Sequence, residues 1–252
     1  MQSRTILITG GTSGIGRELA RQLLPRGNTV IVTGRDLEKL DATKRALPGV
    51  HVFQSDVSDP AAIKALHDSV VAQFPALDVL VNNAGIMRNL DINRDRDLFD
   101  VTREIEINLA GPVRMVQQFL PHLRTRPQAA IVNVSSGLAF VPLPLSPIYC
   151  ATKAAIHSFS QSLRIQLAST SVAVIELAPP GVETPLFRDE FPEFGDQKGM
   201  DVTVLATRAI AGIEAGKLEI RPGLSNVLKA MSRVAPNFML HQLAKMGKPK
   251  GR

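Results

Sequence analysis

Short apolar runs recur along the chain and alternate with segments of helical periodicity. The runs consist mainly of valine, isoleucine and leucine, and they lie at 6–8, 30–32, 50–53, 79–81, 131–134 and 172–177. Most are continuous rather than alternating, which is typical of strands covered on both faces. We therefore predict a buried, mostly parallel sheet.

Helical patterns fill the intervals. After the first run, Ile15, Leu19 and Leu23 lie on one face and Gly27 ends the segment. The longer intervals between the later apolar runs leave room for two long helices, over roughly 97–124 and 148–168. Regular strand–helix alternation implies right-handed crossovers. The prediction is an α/β fold: a single Rossmann-type domain with a doubly wound parallel sheet of about seven strands and helices on both faces.

Composition narrows the functional classes. The 252 residues are 44% hydrophobic, as in ordinary globular proteins, and no run of about 18 apolar residues occurs. The single cysteine, Cys150, excludes a disulfide framework. The five histidines show no metal-ligand spacing, so we predict no metal. The first residues lack a signal-peptide pattern, and we expect a cytoplasmic location.

The net charge of +6 has two readings, a nucleic acid partner or a phosphorylated small ligand. A nucleic-acid surface predicts clustered basic residues with aromatics between them. Aromatic residues are only 4% of this chain, and its basic residues are scattered except at the tail. We predict no nucleic acid partner.

A glycine-rich turn follows the first predicted strand, in the sequence Thr9-Gly-Gly-Thr-Ser-Gly-Ile-Gly16. Glycines there allow a tight turn and let backbone N–H groups approach a phosphate at a helix N-terminus. The position, at a strand–helix junction early in an α/β chain, favours a dinucleotide over a mere turn.

Further motifs follow in order: Asn82-Asn83-Ala84-Gly85, Asn108, Ser136 and Tyr149-Cys-Ala-Thr-Lys153. With the glycine-rich turn, this ordered set resembles the short-chain dehydrogenase/reductase family over about residues 4–222. Ser136–Phe140 and Glu176–Pro180 are similar to the branch that contains the oxidoreductase of D-alanyl-teichoic-acid operons. The predicted division is a dinucleotide-binding and catalytic domain at 1–222, with a C-terminal helical extension and basic tail of the same domain at 223–252.

The predicted catalytic residues are Ser136, Tyr149, Lys153 and Asn108. Tyr149 and Lys153 are four residues apart on a predicted helix, hence on one face. A phenol with a pKa near 10 is a poor acid–base group at neutral pH, and an ammonium about 4 Å away stabilises its phenolate by roughly 4 kcal/mol. Ser136, 13 residues before Tyr149, would hydrogen-bond the substrate oxygen; its neighbour Ser135 is the competing candidate. The resemblance implies that Asn108 holds a water in a proton relay to the lysine.

Cofactor contacts are expected from the glycine-rich turn, Arg35 and the pair Tyr149 and Lys153, and the resemblance implies further contacts at the ends of the later strands. They are Gly10, Thr12, Ser13, Gly14, Ile15, Gly16, Arg35, Asp56, Val57, Asn83, Ala84, Gly85, Tyr149, Lys153, Gly181, Val182 and Thr184.

The second strand indicates which nicotinamide cofactor is preferred. Folds that prefer NAD place a carboxylate at its end, but here Gly34 takes that position and Arg35 follows. A guanidinium can bind a 2′-phosphate bidentately. Asp36 opens the next helix as an N-cap, which turns its carboxylate away. We predict NADP(H) in preference to NAD(H).

The sequence therefore predicts an oxidoreductase that transfers a hydride between NADP(H) and a carbonyl or alcohol substrate. A catalytically silent dinucleotide sensor or scaffold is the alternative, although such relatives typically lose the tyrosine or the lysine. The substrate pocket is expected from the segment 186–195 together with Leu138, Phe140 and Leu143.

The resemblance and the two long helices also predict a homodimer or homotetramer. Its seam would combine apolar residues with a small-residue helix face, although these faces could instead pack on the sheet. The candidates are Phe99, Val116, Phe119, Leu123, Ala151, Ala155 and Ser162. In the tail, Pro236 should divide two short helices. That tail is expected to pack beside the substrate segment, with a subunit interface or contact with an anionic membrane surface as alternatives.

Overall fold

The computed structural model describes residues 1–191 and 198–246. Within them, seven strands form one parallel sheet. They are β1 (Thr5–Thr9), β2 (Thr29–Gly34), β3 (His51–Gln54), β4 (Leu77–Asn82), β5 (Ala129–Val134), β6 (Val172–Leu177) and β7 (Glu219–Ile220). The six apolar runs each lie in or directly beside a strand, so the predicted parallel sheet is confirmed.

Helices fill the intervals between the strands. They are α1 (Gly14–Leu23), α2 (Leu37–Ala46), α3 (Pro60–Gln73), α4 (Leu98–Val101), α5 (Arg103–Ile105), α6 (Gly111–Arg124), α7 (Pro147–Gln166), α8 (Pro185–Glu190), α9 (Val202–Glu214), α10 (Leu224–Val234) and α11 (Pro236–Met246). Gly27 is left-handed, with φ 75°, and ends the short helical turn after α1. Pro236 starts a new helix, as the sequence predicts.

The strand order is β3-β2-β1-β4-β5-β6-β7, which is the doubly wound Rossmann arrangement. The chain adds strands in one direction across the sheet from β1 to β3 and in the opposite direction from β4 to β7, so the order reverses between β1 and β4. At such a switch point the loops after the two strands diverge and leave a crevice beyond their carboxyl ends, where ligands bind in open α/β sheets. The loops after the first six strands line this crevice.

The sheet has a packed apolar cluster on each face. One cluster joins β-strand side chains such as Ile6 and Val132 to α1 and α9. The other joins residues such as Leu7 and Ile131 to α3, α6 and α7. Because both faces are covered, strand residues of either orientation are buried, which explains why the apolar runs are continuous.

The single helix expected over about 97–124 is interrupted. The structure has the short helices α4 and α5, then a π turn at Glu106–Ala110, and only then α6. The backbone N–H of Gly111 donates to the carbonyl of Glu106, five residues back, which is the wide spacing of a π turn. Asn108 lies inside this turn.

The proposed oligomer seam is partly wrong. Val116, Phe119 and Leu123 face the sheet and are buried in its core. The alternative, that α6 packs its apolar stripe on the sheet, is the correct one for these three residues. Phe99 on α4 is 88% exposed, so it is available at the surface.

Candidate active site

Tyr149 and Lys153 occupy one face of α7, next to the end of β5. The helix begins at Pro147, so Tyr149 lies in its first turn. The Lys153 ammonium lies 5.5 Å from the centre of the Tyr149 ring and donates to the carbonyl oxygen of Val134, with 2.9 Å between Nζ and O. Both side chains are buried. The structure therefore brings together the predicted acid–base pair.

Burial dominates the ionisation of this pair. It raises the pKa of the Tyr149 phenol, while a hydrogen bond with Ser136 acts in the opposite direction. Burial lowers the pKa of Lys153 to about 8. Each shift favours the neutral form, because a charge loses hydration when it is removed from water. At neutral pH most Lys153 side chains still carry their charge.

Ser136 and its neighbour Ser135 have different partners. The Ser136 hydroxyl accepts from the backbone N–H of Leu138 at 3.1 Å and lies close enough to Tyr149 to lower the pKa of its phenol. The Ser135 hydroxyl donates to the buried carboxylate of Glu176 at 2.5 Å. The geometry thus favours Ser136 as the serine that meets the phenol, while Ser135 faces the next strand.

Asn108 uses the π turn to reach the loop after β4. Its Oδ1 accepts from the backbone N–H of Ile86, and its Nδ2 donates to the carbonyl of Ile86, both at 2.8 Å. Its Oδ1 would lie 3.1 Å from a Cβ at Gly85, and the Lys153 Nζ 3.6 Å from it, so both groups converge on that glycine. The structure places Asn108 close to the lysine, and its role in a water relay stays a prediction.

A cavity of about 390 Å³ lies beyond the strand ends and reaches Tyr149 and Lys153. Fourteen of the seventeen expected cofactor contacts line it. They are Gly10, Thr12, Ser13, Gly14, Ile15, Arg35, Asp56, Val57, Asn83, Ala84, Gly85, Tyr149, Lys153 and Thr184.

The glycine-rich turn is shaped for a ligand that approaches the backbone. Gly10 and Gly14 have φ of +64° and +52°, values that side chains disfavour. A Cβ at Gly10 would lie 2.8 Å from the Cα of Ala84, so the turn and the loop after β4 are in close contact. These features fit the phosphates of a dinucleotide at the N-terminus of α1.

Three expected contacts do not line the cavity. A Cβ at Gly16 would lie 2.5 Å from Nδ2 of Asn83, so this glycine serves close packing of α1. Gly181 and Val182 instead face Met200: the Gly181 carbonyl accepts from its N–H at 2.8 Å, and Val182 forms a β-bridge with it. Position in the sequence alone does not distinguish these roles.

The far end of the cavity carries charge of both signs. Arg35 lies 4.0 Å from the carboxylate of Asp56, and both side chains are partly exposed. Asp36 accepts from the backbone N–H of Lys39 at 3.1 Å as the N-cap of α2, as predicted. Lys39 itself lines the cavity and was missed from the sequence, although its place in the first turn of α2 was a signal.

A third apolar cluster covers the other side of Tyr149. It combines residues of the loop after β5 with α8 and the two C-terminal helices. Its members include Met87, Leu138, Val141, Leu143, Tyr149, Phe187, Phe191, Leu228, Met239 and Leu243. The tail therefore packs on its own chain beside α8, which is part of the segment expected to form the substrate pocket. Phe140 instead packs edge-on against His157, with 5.0 Å between ring centres, and Phe194 lies outside the described residues.

One titratable cluster lies behind the site. His157, Glu176 and Glu219, from α7, β6 and β7, have ligand-type atoms within 4.8 Å of one another. Sequence spacing does not reveal it, because three separate elements supply it. Lys229 and Arg221 both form ion pairs with Glu219, so basic side chains already neutralise this group.

The family model for short chain dehydrogenases matches residues 4–194. The chain belongs to the short-chain dehydrogenase/reductase family. The "Uncharacterized oxidoreductase DltE" of Bacillus subtilis (strain 168) is 46% identical over 231 residues, or 87% of this chain and 88% of that protein. This similarity agrees with the branch that the sequence resembles.

Solved members of the family have the same fold. A short chain dehydrogenase from Burkholderia cenocepacia J2315, in complex with NADP, has a TM-score of 0.83 at 25% identity and covers 96% of this chain and 99% of its own. A short-chain dehydrogenase from Sphingobium yanoikuyae, in complex with NADPH, has a TM-score of 0.82 at 26% identity, over 94% and 95% of the two chains. Among the described residues, no helix is both long and apolar enough to cross a membrane.

Proposed function

We propose that this oxidoreductase transfers a hydride between NADP(H) and a carbonyl or alcohol substrate, with Tyr149 as the proton donor or acceptor. The observation that carries the proposal is the meeting of Tyr149 and Lys153, with Ser136 beside the phenol, at the inner end of a cavity whose other end is formed by the glycine-rich turn. The complexes of two relatives with NADP and NADPH support the cofactor class.

The chain's own residues account for the proton transfer. A bound reduced nicotinamide supplies the hydride to the carbonyl carbon. The phenol of Tyr149 then gives its proton to the substrate oxygen as negative charge develops there, and the reverse transfer accompanies alcohol oxidation. Ser136 holds the substrate oxygen beside the phenol, and the Lys153 ammonium stabilises the phenolate that remains.

NADP(H) preference rests on the cavity's outer end. Arg35 and Lys39 both line it, and Gly34 provides no carboxylate toward a ribose 2′-hydroxyl. A 2′-phosphate placed there gains two cationic partners. A homo-oligomer and a cytoplasmic location remain predictions from the sequence.

The direct test is a cofactor-absorbance screen of aldehydes, ketones, quinones and steroids with NADPH and NADH, using Tyr149→Phe as the control. The proposal requires turnover by the wild type that the variant lacks. Tight NADPH binding without turnover of any of these classes favours the silent sensor instead. Equal binding of the two cofactors contradicts the stated preference.

A further inference from the structure

The end of β5 is attached to α7 at three consecutive residues. The carbonyl of Val134 accepts from Lys153 at 2.9 Å, and Ser136 lies close enough to Tyr149 to lower the pKa of its phenol. The residue between them, Ser135, reaches the same helix indirectly. Its hydroxyl donates to Glu176 at 2.5 Å, and the other oxygen of that carboxylate lies 2.7 Å from Nδ1 of His157.

The three helix residues in these contacts share one face. Tyr149, Lys153 and His157 are spaced by four along α7, so they project in nearly the same direction. Each of the first two is assigned a step in the proposed reaction. His157 has no such step, yet it completes a regular set of contacts between α7 and residues 134–136 at the end of β5.

Glu176 is the centre of the third contact. It is 1% exposed, and its two oxygens have one partner each. A buried carboxylate without partners is strongly disfavoured, so removing either partner would leave a costly group in the core. The carboxylate therefore constrains Ser135 and His157 together and, through them, the position of β5 against α7.

We infer that Glu176 and His157 are a positioning pair, which holds Ser136 in hydrogen-bonding reach of Tyr149 by fixing the strand end to the catalytic helix. This inference rests on the proposed function. Neither residue touches the reacting atoms. Lys229, 2.5 Å from Glu219 and 5.2 Å from the centre of the Phe140 ring, extends the same arrangement to α10.

A metal ion is the competing occupant of this cluster. Both Glu176 oxygens already have hydrogen-bonding partners, and Glu219 is paired with Lys229 and Arg221. A divalent cation would have to displace these groups and would lie next to two basic side chains. The contacts therefore favour the positioning pair.

The chain offers a direct reporter of Ser136 placement. Tyr149 is its only tyrosine and there is no tryptophan, so the tyrosinate absorbance reports this one phenol. A hydrogen bond from Ser136 stabilises the phenolate, hence losing it raises the Tyr149 pKa. Deleting the negative charge of Glu176 acts in the opposite direction, because a nearby anion disfavours the phenolate. A rise in the Tyr149 pKa therefore indicates that Ser136 has moved away from the phenol, and a fall indicates a direct electrostatic effect of Glu176.

The experiment titrates Tyr149 in the NADP⁺-saturated wild type and in Glu176→Gln and Ser135→Ala. We expect the pKa of Tyr149 to rise by about half a pH unit or more in both variants, with the NADP⁺ dissociation constant within about twofold of wild type. Asp78→Asn is the matched control, because it neutralises a largely buried carboxylate at the opposite ends of the strands, 3.0 Å from Arg4. It should leave the titration unchanged.

The other outcomes are equally distinct. An unchanged Tyr149 pKa in Glu176→Gln, with only a lower melting temperature, reduces the pair to a structural role and overturns the inference. A fall in that pKa assigns Glu176 an electrostatic effect and also overturns it. A wild type that binds NADP⁺ but turns over no carbonyl contradicts the proposed function, whatever the variants do. If Glu176→Gln does not fold, Ser135→Ala decides alone, because it changes no charge.

Discussion

The side-chain ammonium of Lys153 donates to the carbonyl oxygen of Val134, with 2.9 Å between Nζ and O. This bond joins α7 to the end of β5, in a place where the Lys153 side chain is almost entirely buried. The ammonium is therefore held where its charge is costly, which is why burial lowers its pKa to about 8. We propose that the lysine serves a bound ligand, because its burial costs the free chain stability.

We first predict that Lys153→Met stabilises the free protein near neutral pH. The folded pKa of about 8 lies below the ordinary lysine value of 10.5, so the folded chain binds fewer protons between these pH values and its stability rises with pH through that window. Removing the lysine should increase the free energy of unfolding by on the order of 3 kcal/mol at about pH 7, and the gain should vanish near pH 10.5. Urea unfolding across this range measures it. Lys217→Met, at an exposed site, is the control, and a less stable Lys153→Met at neutral pH contradicts the prediction.

NADPH binding should weaken as pH rises through about 8. The free protein loses the positive charge of Lys153 in this range, and that charge faces the inner end of the cofactor cavity. Isothermal titration at successive pH values should show a rising dissociation constant in the wild type. In Lys153→Met the constant should be higher throughout and should lack this step. A parallel pH dependence in the two proteins would assign the effect to another group.

Tyr149→Phe should lower turnover by about a hundredfold or more, because the general acid is removed. The dissociation constant of NADPH should change little, since the ring remains. Steady-state kinetics and binding by fluorescence test the two halves separately. A variant that retains more than about a tenth of wild-type turnover excludes Tyr149 as the proton donor.

Cofactor choice should depend on two basic residues. Arg35→Ala is expected to cost about 1.5–3 kcal/mol of NADPH binding and to leave NADH binding nearly unchanged, because only NADPH carries the 2′-phosphate. Lys39→Ala should have a smaller effect of the same kind, about 0.2–1 kcal/mol, since its side chain is exposed. Lys44→Ala, farther along α2 and away from the cavity, should leave both constants unchanged. Equal losses of binding free energy for NADPH and NADH would show that these residues do not contact the 2′-phosphate.

The C-terminal helices should influence substrate binding without affecting the cofactor. Leu243 is buried in the cluster over Tyr149, and Leu240 on the same helix is 36% exposed. Leu243→Ala opens space beside the reacting groups and admits water, so KM for a carbonyl substrate should rise severalfold while NADPH affinity is kept. Leu240→Ala is the matched control. Identical KM values in the two variants would show that the tail does not shape the substrate side.

The sequence predicted the sheet, α7 and most of the cavity wall because each depends on local signals. Continuous apolar runs identify strands, and the residues after them must meet at one edge of a parallel sheet. The contact of Ser135 with Glu176 and His157 could not be predicted in this way. Strand pairing between β5 and β6 places Ser135 beside the end of β6, and no spacing along the chain records that pairing. Gly181 and Val182 do not line the cavity for a similar reason, since the chain returns at Met200 and pairs with them there.

The π turn at Glu106–Ala110 accommodates an extra residue between α5 and α6. An α-helix through the same stretch would accommodate one residue fewer, and each residue corresponds to a rotation of about 100° around the helix axis. The π turn absorbs that rotation, so deleting a single residue there would restore regular helix and leave Met115 and Phe119 packed on the sheet. The side-chain amide that faces Ile86 would be displaced by the same event. The extra residue therefore serves the geometry at Asn108 rather than the packing of α6, and a single-residue deletion in this turn should lower activity far more than stability.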